Sequence, residues 1–241
     1  LGGMVNNNSG GEKSLEYGKT DNYVKSIDFV FADGIRRPVA PLTRAQLIKK
    51  MAKKDFEGRV YKGMYELCED NYDAIKAAKP NVSKDSTGYH IWNVWDRGTG
   101  VFDLTKAIVG AQGTLGLVTK AQFDLVNRRK HSGLLVLFLK DIDDLGELIP
   151  KILTHKPATL ECFDDATMLL GMKFLPSFLP KIGFKKWFQL LLGLAPTGLQ
   201  FLKGFPKLIL MIEFNGETED IVRKRIQDTH KDLAKYHARY E

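Results

Sequence analysis

The chain has 241 residues, 44% hydrophobic, 27% charged and 10% aromatic, which is enough apolar material for one large or two modest cores and excludes disorder as a whole. No uninterrupted apolar run reaches the roughly 20 residues of a bilayer-spanning helix, and the opening Leu1, Gly2, Gly3 is not a basic-then-apolar signal segment. The net charge is +7, but no acidic residue lies between Asp165 and Glu213, where Lys173, Lys181, Lys185, Lys186, Lys203 and Lys207 stand; setting these six aside leaves 30 basic against 29 acidic residues, a local excess that makes nucleic acid a poor partner.

Residues 1–26 are rich in Gly, Asn and Ser and read as turns without a regular hydrophobic face. Ile27 to Ala32 reads as a strand, followed by an Asp33-Gly34 turn and a second short strand near Arg36 to Val39, a hairpin. Helical patterns run from about Arg44 to Lys53 and from Val60 to Lys76, and Pro80 and the stretch 83–88 break them. Leu104 to Val109 is a short helix ending at Gly110, and Leu115 to Val126 alternates like a half-buried strand. A boundary falls at about 127–131 (NRRKH), dividing the chain into domains 1–126 and 127–241. Beyond it the pattern predicts strands over Gly133 to Leu139, Thr159 to Phe163 and Leu208 to Phe214. It predicts helices over Ile142 to Leu153, from Ala166, and over Glu217 to Tyr240, the last with Val222, Ile226, Thr229, Leu233 and Tyr236 on one face. The expected class is α+β, with helices on one side of a largely antiparallel sheet.

Cys68 and Cys162 are far apart and outside any C-x-x-C motif, so no disulfide framework or cysteine metal site is indicated and a reduced, cytoplasmic compartment is expected. No histidine pair has metal-ligand spacing with a carboxylate nearby, so no metal is expected. Asp164-Asp165 reads as a helix N-cap followed by a first-turn acid.

Two glycine-rich elements carry chemistry. Gly2, Gly3, Asn8, Ser9, Gly10 and Gly11, followed by Tyr17, Gly18 and Thr20, allow positive φ and close approach of backbone to a ligand, and consecutive turn amides can form a concave anion site; the alternative is a plain Gly/Asn/Ser loop. In VGAQGTLGLVT, residues 109–119, glycines three apart run into a strand, where main chain must approach a ligand or another backbone. The element lacks the Gly-Lys-Ser/Thr ending of a P-loop, and a strand stands where a dinucleotide fingerprint has a helix.

In this order, GGMVNNNSGGEKSLEYGKTDNYVKSIDFVFADG, KDSTGYHIWNVWD and DLTKAIVGAQGTLGLVTKAQFDLV resemble the second half of the FAD-binding domain of the vanillyl-alcohol-oxidase and p-cresol-methylhydroxylase (PCMH) type, in the D-lactate dehydrogenase and glycolate oxidase branch of FAD-linked oxidases. The likeness continues into PATLECFD, similar to the start of that group's substrate (cap) domain, and leaves residues 40–80 and 170–206 poorly matched. It implies FAD as cofactor, with Gly2, Gly3, Asn8, Ser9, Gly10 and Gly11 lining the flavin and its pyrophosphate. Tyr17, Gly18 and Thr20 would support that turn, and Gly113, Thr114, Gly116, Leu117 and Val118 would run beside the cofactor. Ala111-Gln112 departs from the group's usual Ser-Glu, losing a hydroxyl and a charge. The resemblance further implies that the chain is a fragment, with the pyrophosphate loop before it and the His-rich catalytic region after it, so that no catalytic base is assigned here. The implied reaction is oxidation of a D-2-hydroxy acid such as D-lactate or glycolate, with another alcohol or a sugar lactone as the alternative substrate and a non-catalytic membrane-associated module as the alternative role.

The basic apolar insert, residues 171–207, places Phe184, Trp187 and Phe188 on one helical side and Lys185 and Lys186 on the other, the pattern of an interfacial segment on an anionic membrane. Prolines 176, 180 and 196 cut it into pieces too short to span. The expectation is peripheral attachment at the inner face of the cell membrane, with electrons passing to a quinone or other carrier. The competing reading is a buried helical pair with a solvated lysine edge.

Overall fold

The computed structural model describes residues 1–82, 84–182, 205–236 and 239–240. The chain divides into two compact units, Leu1–Asn127 and Arg128–Glu241.

The first unit opens with two short helices, α1 (Gly2–Asn6) and α2 (Ser14–Tyr17), where turns alone were expected. A five-residue helix shows no periodicity; it is held by tertiary contact, since Val5 is completely buried. β1 (Val24–Val30) and β2 (Arg36–Val39) form the expected hairpin, with Gly34 N–H donating to Phe31 C=O at 2.9 Å. Helices α3 (Arg44–Met51), α4 (Phe56–Asp70) and α5 (Tyr72–Ala77) follow. Thr43 and Gln46 form a capping box at α3, and Asp55 Oδ1 accepts the Gly58 N–H at 2.8 Å to start α4. After α6 (Thr105–Ile108), β6 (Leu117–Phe123) pairs antiparallel with the other side of β1, giving the strand order β2-β1-β6.

Register breaks in the β1–β6 ladder decide which side chains face inward. One irregularity between Val24 and Ser26 lets Val24 and Ile27, three apart, both enter the core, and Phe29 follows on the same face. A small antiparallel sheet of Leu42–Thr43 (β3), Val101–Phe102 (β5) and Trp95–Asp96 (β4) was not foreseen, because two-residue strands carry no alternation. The core of this unit contains Ile27, Phe29, Val39, Leu47, Tyr61, Phe102 and Ile108.

The second unit is built on one antiparallel sheet of order β10-β7-β9-β8, from β7 (His131–Leu139), β8 (Thr159–Asp164), β9 (Leu208–Gly216) and β10 (Arg239–Tyr240). Leu135, Leu137, Leu210, Ile212 and Phe214 face α7 (Leu145–Thr154) and α9 (Glu219–Leu233), which contribute Leu148, Ile152, Val222 and Leu233. α8 (Asp165–Ile182) begins where Asp164 Oδ1 accepts the Thr167 N–H at 2.7 Å, so Asp164 caps and Asp165 opens the first turn. The final helix is shorter than expected. After Leu233 the chain makes one 3₁₀ turn (Ala234–Tyr236), and Arg239 and Tyr240 then pair with Phe138 and Leu137 on the edge of β7. No helix among the described residues is long and apolar enough to cross a membrane.

Candidate functional site

The first glycine loop is pinned to the sequence that follows it. Asn8 is buried with φ of 44°, a left-handed conformation that asparagine tolerates better than most residues. Its Oδ1 accepts the Asp21 N–H at 2.9 Å, and its Nδ2 lies 3.4 Å from His90 Nδ1. Ser9 C=O accepts from both the N–H (3.1 Å) and the hydroxyl (2.8 Å) of buried Thr20. Tyr17 C=O accepts the Tyr23 hydroxyl at 2.5 Å, and Gly18 follows with φ of 73°.

The second loop lies against the first. Gly110 N–H donates to Val5 C=O at 2.9 Å and Gln112 N–H to Asn6 C=O at 2.8 Å, two main-chain bonds joining segments more than a hundred residues apart. A side chain at Gly110 would bring its Cβ to 3.2 Å from Asn8 Cβ, so Asn8 would have to give by a few tenths of an ångström, and the φ of 90° would be strained in any residue but glycine. Ala111 is buried and Gln112 exposed with φ of 53°; Ala111 C=O accepts the Thr114 hydroxyl at 2.5 Å, and Tyr89 hydroxyl lies 2.8 Å from the same Thr114 oxygen. Gly116 (φ 150°) serves the sheet: a Cβ there would stand 2.3 Å from Val30 C=O and 2.7 Å from the Phe29 ring. Of the two contacts expected of that motif, with a ligand or with another backbone, the second is realised at Gly116.

The candidate cofactor residues thus fall into three groups. Gly2, Gly3, Gly11, Gly113, Thr114 and Leu117 are exposed; Ser9, Gly10, Tyr17, Gly18, Gly116 and Val118 are half-buried; Asn8 and Thr20 are buried. Leu117 and Val118 pair with Val30 and Phe29. Phe184, Lys185, Lys186, Trp187 and Phe188 lie outside the described residues.

The structure adds residues the motifs did not single out. His90 is buried between two acids, with Nδ1 3.6 Å from Asp21 Oδ2 and Nε2 3.7 Å from Asp85 Oδ2, and its ring stacks on Trp92 at 4.8 Å. The Thr87 N–H, with its side chain also bonding, holds the Asp85 carboxyl below the usual carboxylate range. Lys106 Nζ donates to Asp21 C=O at 2.5 Å. Just before α6, Asp103 Oδ1 accepts from the Thr105 N–H (3.0 Å) and hydroxyl (2.6 Å); burial pushes its carboxyl above the ordinary range. His90 stands inside the STGYHIWNVWD stretch, but nothing in its spacing ties it to Asn8, because that contact crosses 82 residues.

No protein-family model matches the chain. Over 173 residues it is 29% identical to a D-2-hydroxyglutarate dehydrogenase of Pseudomonas putida, a stretch that is 72% of this chain and 17% of that protein. Over 106 residues, 43% of this chain and 22% of the relative, it is 32% identical to a Mycobacterium tuberculosis protein described as an uncharacterised FAD-linked oxidoreductase. The chain is related to the FAD-linked oxidoreductases. The stretch it shares spans about a fifth of the length of these relatives. The solved structure of alkyldihydroxyacetonephosphate synthase superposes with a TM-score of 0.58 at 14% identity, over 100% of this chain and 32% of that one. At that identity the likeness is one of fold, and it agrees with the α+β class and the PCMH-type arrangement read from the motifs.

Proposed function

We propose that this chain forms part of the cofactor site of an FAD-dependent 2-hydroxy-acid dehydrogenase, with its two glycine-rich loops holding the flavin. The observation that carries the reading is the pairing of those loops through Gly110 and Gln112. Beside that seam, Gly2, Gly3, Gly11 and Gly113 have open space where a Cβ would stand. An open face of bare main chain suits a planar ring and a pyrophosphate, whose oxygens accept from backbone N–H groups. When bound, FAD supplies the hydride acceptor for oxidation of the substrate alcohol. The residues of this chain bind and orient: Asn8 fixes the first loop onto Asp21, Ser9 and Thr20 lock its exit, and the Thr114 hydroxyl, held by Ala111 and Tyr89, fixes the second. The substrate class follows from the name of the hydroxyglutarate dehydrogenase relative; D-lactate and glycolate belong to the same class. No described residue is assigned as the base.

The test is a chimera in which this chain replaces the matching 173 residues of the Pseudomonas putida dehydrogenase. It should retain flavin absorbance and lose it anaerobically on addition of D-2-hydroxyglutarate, D-lactate or glycolate. A folded chimera that holds no flavin overturns the reading, and a panel including sugar lactones and aryl alcohols separates the substrate classes. We also propose peripheral attachment at the inner face of the cell membrane through Phe184, Lys185, Lys186, Trp187 and Phe188, delivering electrons to a quinone or similar carrier. Its support is their alternation of aromatic and basic residues without an acid. Flotation with anionic vesicles at low salt should carry the chain upward and fail for Lys185→Glu/Lys186→Glu; no flotation rejects the attachment.

A further inference from the structure

A cleft of about 190 Å³ opens beside the first glycine loop, lined by Lys19, Asn22, Lys79, Asp85, His90 and Trp92 among others. Its charges are unevenly served. The Asp21 carboxylate faces His90 Nδ1, and the Asp85 carboxylate faces His90 Nε2 and accepts the Thr87 N–H at 2.9 Å, so both acids have partners. Lys19 has none. It is 7% exposed, and its Nζ is shut off from water without a hydrogen-bond partner among the described residues. Lys79 at the rim is exposed and takes part in no ion pair among the described residues.

An ammonium removed from water without a hydrogen-bond acceptor is strongly unfavourable; the Asp85 carboxylate is close enough for the Lys19 charge to help hold that carboxyl below its usual range, but it makes no hydrogen bond to Lys19. What Lys19 lacks is therefore a hydrogen-bonding acceptor. We propose that this cleft binds a small oxyanion, a phosphate or carboxylate group, toward which the Lys19 ammonium turns from its buried position to become the counter-ion. Lys79 adds a second positive charge at the entrance, and the Asn22 and Asn93 amides at the lining can donate to the remaining oxygens. The volume admits one such group and not a dinucleotide, since pockets for larger ligands run from about 300 to 1,000 Å³. Gly18 and Asp21, used in the flavin reading, also line the cleft, but anion binding there does not require flavin to be held and is tested without it.

The experiment is thermal unfolding of the full chain in inorganic phosphate or in D-2-hydroxyglutarate, against chloride at matched ionic strength. Phosphate should raise the midpoint with the logarithm of its concentration above Kd, by about 5–10 °C at a hundredfold excess. Lys19→Met should abolish the increment while melting no lower than the unsubstituted chain in chloride. Lys79→Gln should weaken binding by about twofold to fivefold. Stabilisation by hydroxyglutarate that competes with phosphate assigns the group to a substrate-type carboxylate; stabilisation by phosphate alone assigns it to a phosphate source. Neither anion shifting the midpoint overturns the proposal, as does an increment unchanged in Lys19→Met. If that variant does not fold, the ¹³C-dimethylated Lys19 resonance of the unsubstituted chain decides: it should move with the same Kd during phosphate titration, and a stationary signal overturns the site.

Discussion

Replacing Gly116 by alanine puts a methyl carbon 2.3 Å from Val30 C=O and 2.7 Å from Phe29 Cζ, more than 1 Å inside ordinary contact with a strand backbone that cannot simply rotate away. Three costs combine. The φ of 150° is foreign to a residue with a side chain, worth about 1–3 kcal/mol. Forcing the atoms apart resembles overpacking a core, about 1–3 kcal/mol. Separating β1 from β6 at the Phe29–Val118 and Val30–Leu117 pairs strains ladder hydrogen bonds worth about 1 kcal/mol each. These overlap, so Gly116→Ala should destabilise the first unit by about 3–5 kcal/mol. Gly113, with φ of 80° but nothing within 4 Å of its missing Cβ, is the control and should cost only about 1–2 kcal/mol. Guanidinium unfolding followed by tryptophan fluorescence measures both. The chain has three tryptophans, and a Trp187→Phe background leaves Trp92 and Trp95 as reporters of this unit. If Gly116→Ala costs no more than Gly113→Ala, the backbone-approach account of the motif is wrong.

Two further perturbations probe the same unit. Burial pushes the Glu57 carboxyl upward, but Lys50 and Lys53 more than offset it and hold the group below its usual range. Because the folded value is depressed, the stabilisation is fully present above the unfolded value of about 4.3 and is lost as pH falls through the lower folded one. Glu57→Gln should therefore cost about 2 kcal/mol at neutral pH, discounted because both lysines reach solvent, with the gap to the unsubstituted chain closing in acid urea titrations. Asn8→Ala removes the acceptor for the Asp21 N–H and forces alanine into a left-handed conformation, for about 2–3 kcal/mol; Asn8→Gly keeps only the first loss and should recover about 1 kcal/mol in the same denaturation assay.

The long periodic elements were legible because their patterns are local. β7, β9 and α9 each present one apolar face that a window of ten residues reveals, and Asp33-Gly34 and Asp164 act on neighbours one to three residues away. The adjacency of the two glycine motifs was accessible only through their likeness to a family; composition alone left each as an ordinary loop. What escaped was set by distant partners. α1 exists because Val5 is buried, the β3-β5-β4 sheet because three dipeptides meet, and β10 because an edge of β7 accepts it. Lys19 gave no signal at all: a lysine among glycines reads as solvated, and only the fold closes over it.

The Val5–Gly110 and Asn6–Gln112 bonds also impose an order in time. During translation at about 5–20 residues per second, the first loop leaves the ribosome some 5–20 s before its partners exist. Until then Asn8 lacks Gly110 against it, and for most of that interval it lacks His90 as well. A nascent chain stalled before Gly110 should therefore leave residues 1–11 open to protease, and one stalled well beyond β6 should protect them.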